Sequence, residues 1–86
     1  MRSVRIDYPT TFDANATFNT NLKTIIDADL PAGTKCIGIV GYDSGASTIV
    51  IVQLRYYNGN YSLQARNTGS SQSSKTAIVH YLYINS

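Results

Sequence analysis

Charge is what this chain has least of. Lys and Arg number 7, Asp and Glu 5, and glutamate does not occur at all. Charged residues make up 14% of the chain, well below the quarter usual for a globular domain. The net charge of +2 is small and its cations are scattered. No basic stripe exists on which phosphates could line up, which argues against nucleic acid as a partner. Tryptophan is missing and Cys36 is the single cysteine. A lone thiol makes no internal disulfide, so the chain is not a disulfide scaffold. Within its apolar run Cys36 reads as a small buried hydrophobe. Long apolar runs are missing too. The longest, Ile49 to Val52, is far too short to cross a membrane, so membrane insertion is not expected. Met1-Arg2 opens onto mixed polarity rather than a secretory signal.

What is present points to strands. Ser, Thr and Asn supply the polarity, and Val, Ile, Thr and Tyr suit a pleated sheet better than a helix. The 86 residues are expected to form one small domain, 1–86, and the aromatic and β-branched content excludes disorder. The clearest stretch is Ser47 to Thr68, two strands joined at Asn58-Gly59, a pair that accepts the positive φ angles of a type I′ turn. With those two residues in the loop, Tyr57 faces Asn60, Tyr56 faces Tyr61, Leu54 faces Leu63 and Val52 faces Ala65. One hairpin face is then apolar. The other carries Arg55 opposite Ser62 and Gln53 opposite Gln64.

Elsewhere the pattern is less even. Val4, Ile6 and Tyr8 alternate with polar residues, as on a half-buried strand that Pro9 stops. Thr10 to Asn21 reads as irregular, with one short strand near Thr17. Leu22 to Asp29 fits helical and strand spacing equally well, being too short for periodicity to decide. In Leu30-Pro31-Ala32-Gly33 a turn is expected, with Pro31 at its first central position and Gly33 at its exit. Thr34 to Tyr42 reads as a strand with Cys36 and Val40 on one face and Ile37 and Ile39 on the other. Gly38 and Gly41 within it suggest a bulge or a close backbone approach. Asn67 to Lys75 is either a mobile loop or a polar cap. Thr76 to Ile84 is a final strand, with Ile78, Leu82 and Ile84 on one face and Val79, Tyr81 and Tyr83 on the other.

Short strands between turns, without a convincing helix, imply an all-β fold: a small antiparallel β-sandwich or jelly-roll-like barrel. Two strands lack a wet face, and a lone domain of this size has no further layer to cover them. Burial against another copy of the chain resolves this, so a homo-oligomer is expected.

No catalytic cluster or cofactor motif stands out, and neither an enzyme nor a bound cofactor is expected. His80 shares a face with Ile78 and Leu82 and reads as a hydrogen-bonded core or interface histidine; a Cys36/His80 nucleophilic pair lacks an orienting partner. Asp27-Ala28-Asp29 offers carboxylates but not the further oxygens of a calcium loop, so turn and capping chemistry is the reading and no metal is expected. Asn15-Ala16-Thr17 and Asn60-Tyr61-Ser62 match the glycosylation sequon, as chance allows in a chain this rich in Asn, Ser and Thr. The 7 tyrosines carry more information. Tyr56, Tyr61, Tyr81 and Tyr83 read as sheet and interface residues. Tyr57 is different, because Arg55, Gln53, Gln64, Asn58 and Asn60 surround it with donors and acceptors on a rigid hairpin. A stacking ring with such neighbours suits a saccharide.

The run from Asp29 to the end resembles C-terminal domains of bacteriophage tail and fibre proteins. It shows the order leucine-proline-x-glycine (Leu30 to Gly33), strand, glycine-containing turn, hairpin, Arg66-Asn67-Thr68, polar loop and aromatic final strand. The resemblance implies a trimeric β-sandwich head on the virion, at a fibre or baseplate tip, that binds a host-surface glycan or another receptor. On this resemblance the chain is expected to be either the C-terminal part of a longer fibre protein or a small stand-alone structural protein. The chain departs from the pattern in having no fibrous shaft, coiled coil or neck. That leaves a purely structural role, as a capsid-decoration or fibre-assembly domain, as the alternative.

Overall fold

The computed structural model describes residues 1–57 and 60–86, with the backbone alone for Tyr56 and Tyr57. The expected turn residues Asn58 and Gly59 lie outside them. The described chain is mostly β and antiparallel. Its order is β1 (Arg2–Asp7), β2 (Thr11–Phe12), β3 (Thr17–Asn21), α1 (Leu22–Asp29), β4 (Thr34–Asp43), β5 (Ile49–Tyr57), β6 (Asn60–Asn67), β7 (Gln72–Ser73) and β8 (Thr76–Asn85). Two three-stranded sheets, β1-β8-β4 and β3-β6-β5, are accompanied by a short β2-β7 ribbon.

Alternation decides which residues face inward. Val4 and Ile6 of β1 are buried, as is Tyr8 just beyond it, as the sequence pattern requires. Ala77, Val79 and Tyr81 of β8 join them from the neighbouring strand. Tyr61, Leu63 and Ala65 of β6 come from the other sheet, and all these side chains belong to one core cluster. Tyr8, Phe12 and Phe18 pack ring against ring at its end, with centroids 5.2 Å, 5.5 Å and 6.4 Å apart. Both phenylalanines therefore serve as core anchors on short strands.

The ambiguous segment is a helix. Asn21 caps it by accepting a hydrogen bond from the Lys23 N–H at 2.9 Å. Leu22 and Ile26, one turn apart, are buried, whereas Thr24, which a strand would turn inward, is exposed. The helix ends at Leu30, the residue before a proline. It carries the chain from β3 in one sheet to β4 in the other. The turn after it runs from Pro31 to Thr34, whose N–H donates to the Pro31 carbonyl at 3.2 Å. Pro31 thus stands at the first position of the turn rather than its first central one. The turn lies one residue later in the chain than expected, and Gly33 (φ 74°) takes the second central position.

Three register shifts correct the expected strand faces. Tyr56↔Tyr61, Leu54↔Leu63 and Gln53↔Gln64 pair as the hairpin register requires, but Ala65 then pairs with Ile51 rather than with Val52. Val52 is the extra residue of a bulge and is 56% exposed. The reason is phase: Ile49 and Ile51 must face the core, as must Leu54, and an odd spacing between Ile51 and Leu54 forbids uninterrupted alternation. In β4, shifts between Cys36 and Gly38 and between Ile39 and Gly41 make Ile37 and Val40 the extra residues. Cys36 and Ile39 therefore pack on the core together, while Ile37 (52%) and Val40 (51%) are exposed. The expected Cys36/Val40 and Ile37/Ile39 faces do not form. Cys36 is half-buried rather than buried.

The polar segment after β6 is tied down. Asn67 is fully buried. Its Nδ2 donates to the carbonyls of Phe12 and Ser70, both at 2.9 Å, and its Oδ1 accepts from the Gly69 N–H at 3.1 Å. Thr68 adds two hydrogen bonds to the Thr48 carbonyl, through N–H (2.8 Å) and Oγ1 (2.7 Å). Of the two expectations for this stretch, the polar cap is the one realised.

Candidate ligand-binding face

The solvent side of the β3-β6-β5 sheet is built in rows. Asn19 pairs with Gln64, and Gln64 pairs with Gln53, so three carboxamides from three strands stand side by side. The row spans about 10 Å, two strand spacings. The next row holds Asn21, Ser62 and Arg55, and beyond it Asn60 pairs with Tyr57. Alternation turns Phe18, Leu63 and Ala65 inward between these positions, which is why the polar ones share the outer face.

A groove of about 370 Å³ runs over these rows, lined by Asn19, Thr20, Asn21, Gln53, Asn60, Ser62, Leu63 and Gln64. Asn19, Gln53 and Gln64 make no side-chain hydrogen bond among the described residues. Each amide presents both donors and an acceptor without a net charge. Hydroxyl-rich, uncharged ligands are the complement of such a surface.

Of the expected site residues, Gln53, Gln64 and Asn60 come together in this groove. Arg55 stands in the adjacent row opposite Ser62, and it also lines a separate cleft beside β4. Tyr57 contributes its backbone pairing to Asn60, while its side chain, and Asn58 altogether, lie outside the described residues. Sequence reasoning missed Asn19 and Asn21. The signal was there: in Thr17-Phe18-Asn19-Thr20-Asn21 the polar residues recur at every second position, as they do along a strand.

The other titratable candidates serve the fold. Asp27 forms an ion pair with Lys23 one helical turn away. Asp29 accepts from Arg2 Nε at 3.0 Å and from the Tyr81 hydroxyl at 2.6 Å. Those hydrogen bonds, the one from Arg2 first, hold its carboxyl below the usual carboxylate range. His80 Nδ1 lies 2.6 Å from Ser3 Oγ. By register it faces Gly41 on the outer side of its sheet, whereas Cys36 packs toward the core opposite Tyr83. The two side chains thus leave the sheet on opposite faces and form no pair.

Comparison with protein-family models, curated proteins and solved structures found no match.

Proposed function

We propose that this chain is a β-sandwich adhesion module of a phage virion that binds a host-surface saccharide through the outer face of β3-β6-β5. The observation that carries the reading is the Asn19–Gln64–Gln53 row, with Asn60 and Asn21 beside it. Neutral amides on a rigid sheet meet sugar hydroxyls at low ordering cost. The virion setting is supported by the resemblance of Asp29 to the C-terminus to fibre heads. Two sheets contributing to one core support the sandwich description. The stacking ring is assigned to Tyr57 from the sequence pattern alone; the structure contributes its backbone pairing with Asn60.

Assembly belongs to the same proposal. Leu82 and Ile84 of β8, with Ile37 and Val40 of β4, leave apolar surface on the β1-β8-β4 sheet. A second copy of the chain would cover it, and the resemblance suggests three copies. Each site is then weak alone and firm in concert. That apolar surface also favours the second reading, a structural decoration or fibre-assembly domain without a ligand.

A glycan array separates the two. The adhesion reading expects a restricted set of hits, each weakened at least about tenfold by Gln64→Ala or Asn19→Ala with the melting temperature preserved. A blank array with a stable oligomer by light scattering would establish the structural reading instead. A monomer at micromolar concentration would remove the assembly claim from both.

A further inference from the structure

β4 and β5 are consecutive in the chain, yet they do not pair. Each is the outer strand of its own sheet. Near the turn between them the chain is closely held, with Ile49 buried and its N–H bonded to the Ala46 carbonyl at 3.1 Å. Farther along, a cleft of about 560 Å³ opens between Lys35–Ile39 on one side and Leu54, Arg55 and Tyr61 on the other. This volume falls in the range of small-molecule sites.

The walls are apolar and the rim is cationic. Cys36, Ile37, Ile39, Leu54 and the Tyr61 ring line the interior. The Tyr61 hydroxyl reaches across to the Cys36 carbonyl at 3.2 Å, so its polar end is already satisfied and its ring serves as wall. Gly38 contributes no side chain, and a Cβ there would meet nothing within 4 Å. The charged lining residues are Lys35 and Arg55, with no carboxylate among them. Lys35 takes part in none of the ion pairs among the described residues, whereas Arg2, Arg5 and Lys23 each face an aspartate.

We propose that this cleft binds a free single-chain carboxylate amphiphile, its alkyl tail between β4 and β5 and its carboxylate at Lys35 and Arg55. Complementarity selects this occupant. A saccharide would leave the apolar walls unfilled, and a cationic amphiphile would meet like charge. An added peptide strand would need a regular sheet edge, and the extra residues Ile37 and Val40 interrupt β4 at this place. The cleft and the amide groove share no lining residue, although Arg55 of the cleft rim also stands in a row of the saccharide face.

Cys36 provides the readout, being the only thiol in the chain and part of the cleft wall. The rate of Cys36 alkylation by neutral iodoacetamide is measured on the intact protein with increasing dodecanoate below its micelle concentration. Dodecanol, dodecyltrimethylammonium and phosphatidylglycerol vesicles serve as comparisons. Dodecanoate should slow the reaction saturably, and the trimethylammonium compound should not. Lys35→Glu should weaken protection about tenfold. Arg55→Gln, a second change at the cationic rim, should weaken it as well with the circular dichroism spectrum retained. No protection, equal protection by all three amphiphiles, or protection by vesicles alone would overturn the proposal. So would dodecanoate protection that neither variant alters.

Discussion

The Tyr81 hydroxyl donates to Asp29 Oδ2 at 2.6 Å, joining a fully buried residue of β8 to the last residue of α1. Arg2 of β1 grips the same carboxylate, through Nε at 3.0 Å and a second guanidinium nitrogen at 3.3 Å. The helix end is thereby pinned to two strands of one sheet. Tyr81→Phe should cost about 1.5–3 kcal/mol in urea unfolding at pH 7, the range for a hydrogen bond to a charged group. Asp29 is held below its unfolded value, so its contribution is present above about pH 4 and is lost as pH falls through the lowered value. The gap between parent and Tyr81→Phe should accordingly narrow as pH falls through the lowered value of Asp29.

At the alkaline end the sign reverses. Burial pushes the Tyr81 hydroxyl up to about 12, and its hydrogen bond to Asp29 adds to the effect. Tyr8 is likewise pushed up to about 12 by burial, with Asp43 nearby adding to it, while its hydroxyl donates to the Ser44 carbonyl at 2.8 Å. Both groups hold their protons more tightly folded than unfolded. Their contribution is complete below about pH 10 and is lost as pH rises toward 12. Tyrosinate absorbance and circular dichroism followed together should show a late ionising fraction that appears with unfolding.

Two glycines should respond oppositely to alanine. Gly45 has φ 86°, and a Cβ there would stand 1.8 Å from the Thr76 carbonyl oxygen. Gly45→Ala is expected to destabilise by roughly 3 kcal/mol or more, or to prevent folding. Gly38→Ala meets open space and removes strand-glycine entropy, so a gain of about 0.5–1 kcal/mol is expected. Thermal melts of the pair check both signs.

Asn67 is the buried polar residue of the core region, and its side chain serves three backbone groups. Asn67→Ala strands the Phe12 and Ser70 carbonyls and the Gly69 N–H. A loss of about 2–4 kcal/mol is expected, with early hydrogen exchange at residues 68–71 as its local signature.

Alternation is a local property, and the sequence by itself therefore determined the inward sets of β1 and β6, the hairpin pairing from Tyr57 to Gln53, and the strand-rich, antiparallel character of the chain. β8, apolar on both faces in the sequence, had its inward set of Ala77, Val79 and Tyr81 decided by the tertiary structure. Val4 and Ile6 needed no partner strand to be recognised as core. The helix needed the tertiary structure, because Leu22, Thr24, Ile25 and Ile26 satisfy both periods until the core selects Leu22 and Ile26. The bulges at Ile37, Val40 and Val52 needed it as well: a strand shifts phase only when two of its segments must face the same core, and that demand comes from the partner strands. The amide row is the fullest case. Asn19 and Gln53 are far apart in sequence, and only the pairing of β3 and β5 to either side of β6 brings both beside Gln64.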